Sequence, residues 1–405
     1  MGSQPVTPER SNPVIHLKDA ILAIALILAL AAVYGLDRRH PPEVPNQNAS
    51  EVSVTVVPSK PEPPPIKPLR LAVTPAYFDD MGKLLDSMGK GFKYQTIEMD
   101  DLRDKNKLSQ FDVIFFTCGT IPESWVERKL ENSLRPGTIQ VIAKQEVLKK
   151  VAGNLKSFVN SGGTLYASDL RLTLVGDAFP GFVDGFRVRS GRAQSVGAKV
   201  VDSGLAKILE TSQITLKFDQ PGWLPAAIFG KAVEVYLKGR YETTDGDSRE
   251  TPLLVKFPFG QGHVIFTSFH NEKQTSEVEQ KLLKFLVFSV VTAKTESAVA
   301  RTMVQGGFSP ASRNLLSASP QSPSVTQTYS CKKVGSLQFA LGFENQGAHL
   351  KLTVTSPSGT EYEKEGTSTF ILDIPAAAIG EWKYTVTAVS VPYENFPFTL
   401  TIGEK

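Results

Sequence analysis

The chain has 405 residues, 41% of them hydrophobic, which is enough for more than one core. Its formal net charge is only +3 and no basic run stands out, which excludes a nucleic-acid partner held by a charged patch. Two cysteines, Cys118 and Cys331, form neither a zinc motif nor a disulfide framework, and the five histidines show no metal-ligand spacing, so neither metal nor cofactor is expected.

Residues 1–18 form a short tail before an unbroken apolar stretch, Ala20 to Leu36. That stretch has the length of a short bilayer-spanning helix and lacks the small-residue site of a cleaved signal peptide. A transmembrane helix is therefore expected over 19–36, making the protein a single-pass cell-membrane protein whose bulk lies on the periplasmic or extracellular side. From 37 to 68 the chain is crowded with proline, including Pro61-Glu-Pro-Pro-Pro65. Proline fixes φ and removes a donor, so this segment reads as an extended stalk reaching on the order of 80 Å.

Residues 69–294 alternate strand and helix patterns, the signature of an α/β domain with a parallel sheet. Strands are expected at Leu69–Val73, Tyr94–Glu98, Asp112–Phe116, Thr164–Ser168, Leu253–Phe257 and Val264–Phe269. Helices are expected over Met81–Met88, over Asp100–Leu108, along the stripe Leu148, Val151, Leu155 and Val159, and along Val278, Leu282, Phe285 and Leu286. Gly181 to Tyr241 reads as a β-rich insertion covering one edge of the sheet.

Three strand ends carry residue types suited to chemistry, and in an open α/β sheet sites form at the carboxyl ends of strands. After the third strand comes Thr117-Cys-Gly119, where Cys118 is a candidate nucleophile or a small buried hydrophobe. After the fourth comes Ala167-Ser-Asp-Leu-Arg171, with Asp169 at the tip of a turn that half matches a nucleophile elbow and equally suits a helix cap. After the last comes Phe269-His-Asn-Glu272, with His270 a candidate base and Glu272 its candidate orienting acid; a helix-capping Glu272 is the plainer alternative. Gly119, Ser168 and Asn271 stand beside these groups as candidate binding residues.

These three strand ends, in this order, resemble the class I glutamine amidotransferase-like fold, a flavodoxin-like arrangement, and especially its trehalose-utilisation-type, non-glutaminase members. Phe269-His-Asn-Glu272 stands where amidotransferases carry Phe-His-Pro-Glu, so the resemblance implies triad positions for His270 and Glu272. It places Cys118-Gly119 on the loop that supplies oxyanion-hole backbone groups. The Gly-x-Cys-x-Gly elbow is replaced by Ala167-Ser-Asp-Leu-Arg171, so the nucleophilic cysteine is missing. The resemblance thus implies binding of a ligand or protein partner without glutaminase activity. A hydrolase using His270 and Glu272 with Cys118 or Asp169, or an envelope scaffold, is the alternative.

Residues 295–328, rich in Ser, Ala and Pro, read as a linker. From 329 to 405 short alternating runs separated by turns predict an all-β sandwich, with strands at Ser336–Leu341, His349–Val354, Thr369–Ile374, Trp382–Ala388 and Phe398–Ile402. Leu352-Thr-Val-Thr-Ser-Pro-Ser-Gly-Thr360 and Gly380-Glu-Trp-Lys-Tyr-Thr-Val386 resemble bacterial pre-peptidase C-terminal and proprotein-convertase P-type modules, which implies that Trp382 anchors the core. The sharper alternative is an exposed carbohydrate platform.

Overall fold

The computed structural model describes residues 67–405 except 132–137, 186–187 and 345. The expected transmembrane helix and most of the stalk lie outside the described residues, and among those described no helix is long and apolar enough to cross a membrane.

The α/β domain is built on one nine-stranded sheet. Its strands are β1 (Leu71–Val73), β2 (Tyr94–Thr96), β3 (Val113–Phe116), β4 (Thr164–Ser168), β5 (Gln194–Val200), β6 (Gln213–Phe218), β7 (Glu234–Glu242), β8 (Ser248–Phe259) and β9 (Gly262–Thr267). Their order is β2-β1-β3-β4-β9-β8-β7-β5-β6. The first five run parallel; the remaining pairings are antiparallel. The segment from Gly181 to Tyr241 therefore does not merely cover an edge, because β5, β6 and β7 lengthen the sheet itself.

Side chains alternate across the parallel strands, as the period of two demands. Val113 and Phe115 enter one core, whereas Ile114 and Phe116 enter the other. The first core receives α1 (Met81–Ser87) and the start of the last helix through Met81, Leu85, Leu282 and Leu286. The second receives α2 (Gln145–Asn160) and α3 (Leu172–Ala178) through Val151, Leu155, Leu172 and Val175. Both faces are thus covered, which is why β3 and β4 are buried at every residue. The left-handed φ of +104° at Gly162 ends α2 where Ser161-Gly-Gly163 was expected to stop it.

The expected linker over 295–328 is not one. The last helix, α4, begins at a Ser276–Glu279 capping box and runs unbroken from Glu277 to Gln305. Thr295, Ala298, Val299, Thr302 and Met303 continue its buried stripe past the expected end. Two strands follow, β10 (Ser309–Ala318) and β11 (Ser324–Cys331). These pieces escape the hydrophobic pattern because they pack through Ala, Thr and Ser and half-bury their strands on one side.

The C-terminal domain adds β12 (Gly335–Gly342), β13 (His349–Thr355), β14 (Glu361–Gly366), β15 (Phe370–Ala377), β16 (Gly380–Ser390) and β17 (Phe396–Glu404). Two four-stranded antiparallel sheets result, ordered β10-β17-β12-β15 and β11-β16-β13-β14. Trp382 is 1% exposed and its indole N–H donates to the Ala378 carbonyl at 3.0 Å, so it is core and not an exposed platform. Cys331 sits in this core as a free thiol; Cys118, also free, sits in the other domain.

The C-terminal half of α4 packs on the sandwich through Val299 and Met303 against Phe308, Ala340 and Ile371. Gly342 permits the close approach: a Cβ there would lie 2.6 Å from Thr295 Cγ2 and 2.8 Å from Thr399 Oγ1. Gly342→Ala is expected to lower the unfolding free energy by about 1–3 kcal/mol in denaturant titration, since neither the helix nor the strand has room to yield.

Candidate functional site

The parallel register places the ends of β3, β4 and β9 side by side: Phe116 pairs with Ala167 and Thr267 with Ser168. The residues that follow meet in one buried cluster. Asp169 turns the chain with a left-handed φ of +45°, a strained conformation that aims its carboxylate across the strand ends. Its Oδ2 lies 3.1 Å from His270 Nε2 and accepts from the Cys118 thiol at 3.5 Å. Its Oδ1 accepts the Leu224 backbone N–H at 2.7 Å. Both carboxylate oxygens are therefore engaged by the protein itself, and the residue is 4% exposed.

The cluster rests on a second carboxylate, Asp79, at the loop after β1. Ser168 Oγ donates to its Oδ2 at 2.9 Å, and the Asn271 N–H donates to its Oδ1 at 2.9 Å. Ser168 Oγ in turn accepts the Cys118 N–H at 2.9 Å. Ser168 and Asn271, expected as binding groups, thus act within this scaffold, and Asn271 Nδ2 lies against Met81 Sδ at 3.1 Å. Gly119 lies beneath Tyr77 and the Arg171 guanidinium: a Cβ there would stand 2.9 Å from Tyr77 Cβ and 3.1 Å from Arg171 Nη2.

Two expected pairings differ in the structure. Glu272 does not orient His270; its Oε1 accepts from Lys83 Nζ at 2.9 Å on a partly exposed surface. A turn beginning at Asn271 separates the two side chains, and Asp219 Oδ1, 3.6 Å from His270 Nδ1, takes the place beside the imidazole. Nor is Cys118 paired with His270, because its thiol faces Asp169. Burial, then the Asp169 charge, pushes the Cys118 thiol well above its usual range, the opposite of what an activated thiolate nucleophile needs.

Burial alone would lower His270, but the hydrogen bond and charge of Asp169, with Asp79 and Asp219 behind it, raise it above its ordinary value. Arg171, where an elbow needs a small residue, is buried with Nε donating to the Thr117 carbonyl at 2.7 Å and its guanidinium 4.5 Å over the Phe116 ring. Cys118, Asp169 and His270 each also offer one metal-ligand atom, all within 4.8 Å of one another.

Sequence reasoning missed Asp79, Asp219 and Arg171 as parts of the site. Asp79-Asp80, in the loop after the first strand, was a legible signal; Asp219, brought in by β6 of the insertion, was not.

No protein-family model matches the chain, and no curated protein matches it significantly. Solved structures similar to it include a cytoplasmic protein from Salmonella typhimurium, at 13% identity and TM-score 0.30, covering 54% of this chain and 98% of that one. A GMP synthase-like protein from Thermoplasma acidophilum aligns at 10% identity and TM-score 0.35, over 59% of this chain and 98% of that one. A beta-galactosidase from Bacillus circulans aligns over 79% of this chain at 13% identity and TM-score 0.28, and the chain spans 41% of that enzyme. At these scores the strand order itself, and not the likenesses, defines the fold.

Burial raises Asp79 to about 6, against the pull of His270 and of the Asn271 N–H. A folded value above the unfolded one means that its protonation stabilises the fold below about pH 4 and that this contribution is lost as pH rises through 6. Asp79→Asn is expected to remove about 2 kcal/mol of the stability lost between pH 4 and 7, measured by denaturant titration across that range.

Proposed function

We propose that this protein is a membrane-anchored surface protein whose amidotransferase-like α/β domain binds a ligand or protein partner and does not hydrolyse glutamine. The anchor and the outward placement rest on the apolar stretch Ala20–Leu36 and the proline-rich segment after it. The amidotransferase-like reading rests on His270 after the last parallel strand and a strained turn after β4, set side by side.

One observation carries the functional part. The residue at the elbow tip is Asp169, not a cysteine, and both its carboxylate oxygens are consumed by His270, Cys118 and the Leu224 N–H. A nucleophile needs a free lone pair aimed at open space, whereas this carboxylate is buried among its partners. The expected base is likewise committed, between Asp169 and Asp219.

The left-handed φ of Asp169 favours the hydrolase alternative, since nucleophile elbows share that strain. The two readings part on one variant. In the binding reading the purified full-length protein releases no ammonia from glutamine, and His270→Ala lowers stability by about 3–5 kcal/mol because a buried carboxylate loses its partner. A hydrolase would show turnover on an ester or amide panel that His270→Ala abolishes.

A further inference from the structure

The three side chains that meet at the strand ends form more than a hydrogen-bonded knot. Cys118 Sγ lies 3.5 Å from Asp169 Oδ2, and His270 Nε2 lies 3.1 Å from the same oxygen. A tetrahedral zinc ion with bonds of roughly 2.0–2.3 Å to S, N and O sets its ligand atoms about 3.3–3.6 Å apart along the edges. These two separations lie close to that spacing, and all three ligand atoms lie within 4.8 Å of one another, so an ion enters by displacing protons and drawing Cys118 Sγ and His270 Nε2 together.

The surroundings fix the ligands as a metal centre requires. The far nitrogen of His270, Nδ1, lies 3.6 Å from Asp219 Oδ1, the carboxylate–histidine arrangement that orients a metal-binding imidazole. The spare oxygen of Asp169 is held by the Leu224 N–H at 2.7 Å. Cys118 is held from behind by its own N–H on Ser168 Oγ. All three ligands are nearly inaccessible, at 0%, 4% and 7% exposure.

We propose that Cys118, Asp169 and His270 form a binding site for a thiophilic divalent cation of the zinc type, with these three side chains as its protein ligands. The donor set of thiolate, imidazole and carboxylate selects zinc-like ions over magnesium and calcium, which take oxygen ligands. On binding, the thiol proton passes to solvent and the sulfur lone pair goes to the ion. The imidazole gives its Nε2 lone pair, with Nδ1 facing the Asp219 carboxylate at 3.6 Å; any Nε2 proton also leaves to solvent. Thiolate and Asp169 together balance the two charges of the ion, and Asp79 and Asp219 offset the nearby Arg171. The three ligands lie 51 and 101 residues apart, so no local spacing rule could have shown them.

This inference deepens the binding reading by naming a ligand for the same site, and it is tested with cobalt as the probe. The full-length protein, stripped with chelator, is titrated with Co²⁺. We expect one ion per chain, a thiolate-to-cobalt charge-transfer absorption, and its disappearance on adding Zn²⁺. Cys118→Ser should lose the absorption and weaken binding at least tenfold, whereas Cys331→Ser should keep both. Asp219→Asn, which leaves all three ligands in place, should weaken binding about tenfold while retaining the absorption. No charge-transfer band in the wild type, or a band that survives Cys118→Ser, overturns the site. Either failure leaves the non-glutaminase reading standing, since that reading falls only on turnover.

Discussion

The hydrogen bond between Asp169 and His270 joins the ends of two neighbouring parallel strands inside the protein, and the rest of the site is arranged around it. A carboxylate this deeply buried must find its partners in the chain, or the fold loses the solvation it gave up. Leu224 arrives from the insertion, Cys118 from β3 and His270 from β9. Asp79 repeats the pattern one strand further along, tying Ser168 to the Asn271 backbone. Two buried carboxylates, each shared among several strand ends, turn what would be an open crevice into a cross-braced one.

The remainder of the architecture holds these ends in place. Five parallel strands with both faces covered set the register. Helix α4 packs beneath β4 and β9 with its first half and on the sandwich with its second. The sandwich is thereby an integral support of the α/β domain, joined through Gly342 and the small residues of α4 and not through a flexible tether.

Much of this was legible. Continuous apolar runs gave β3, β4 and β9, and their ends gave Cys118, Asp169 and His270, because parallel strands deposit their next residues at one edge of the sheet. The sandwich strands with large alternating side chains were legible for the same reason. What was not legible depended on contacts distant in sequence. Asp219 and Leu224 reach the site only because β6 pairs at the far edge and returns. Glu272 had the right sequence neighbourhood and the wrong direction, since a turn at Asn271 sends it to Lys83. The segment 295–328 looked like a linker because helix and strand there are packed through Ala, Ser and Thr, which carry little hydrophobic signal.

The central claim is that Asp169 serves as a buried partner of His270 instead of a nucleophile. A double-mutant cycle on the chelator-treated protein, with Asp169→Asn, His270→Gln and the pair, measures that partnership in unfolding free energy. The account predicts a coupling of about 1.5–3 kcal/mol, the range for a hydrogen bond to a charged group. Single effects that add to within about 0.5 kcal/mol would contradict it.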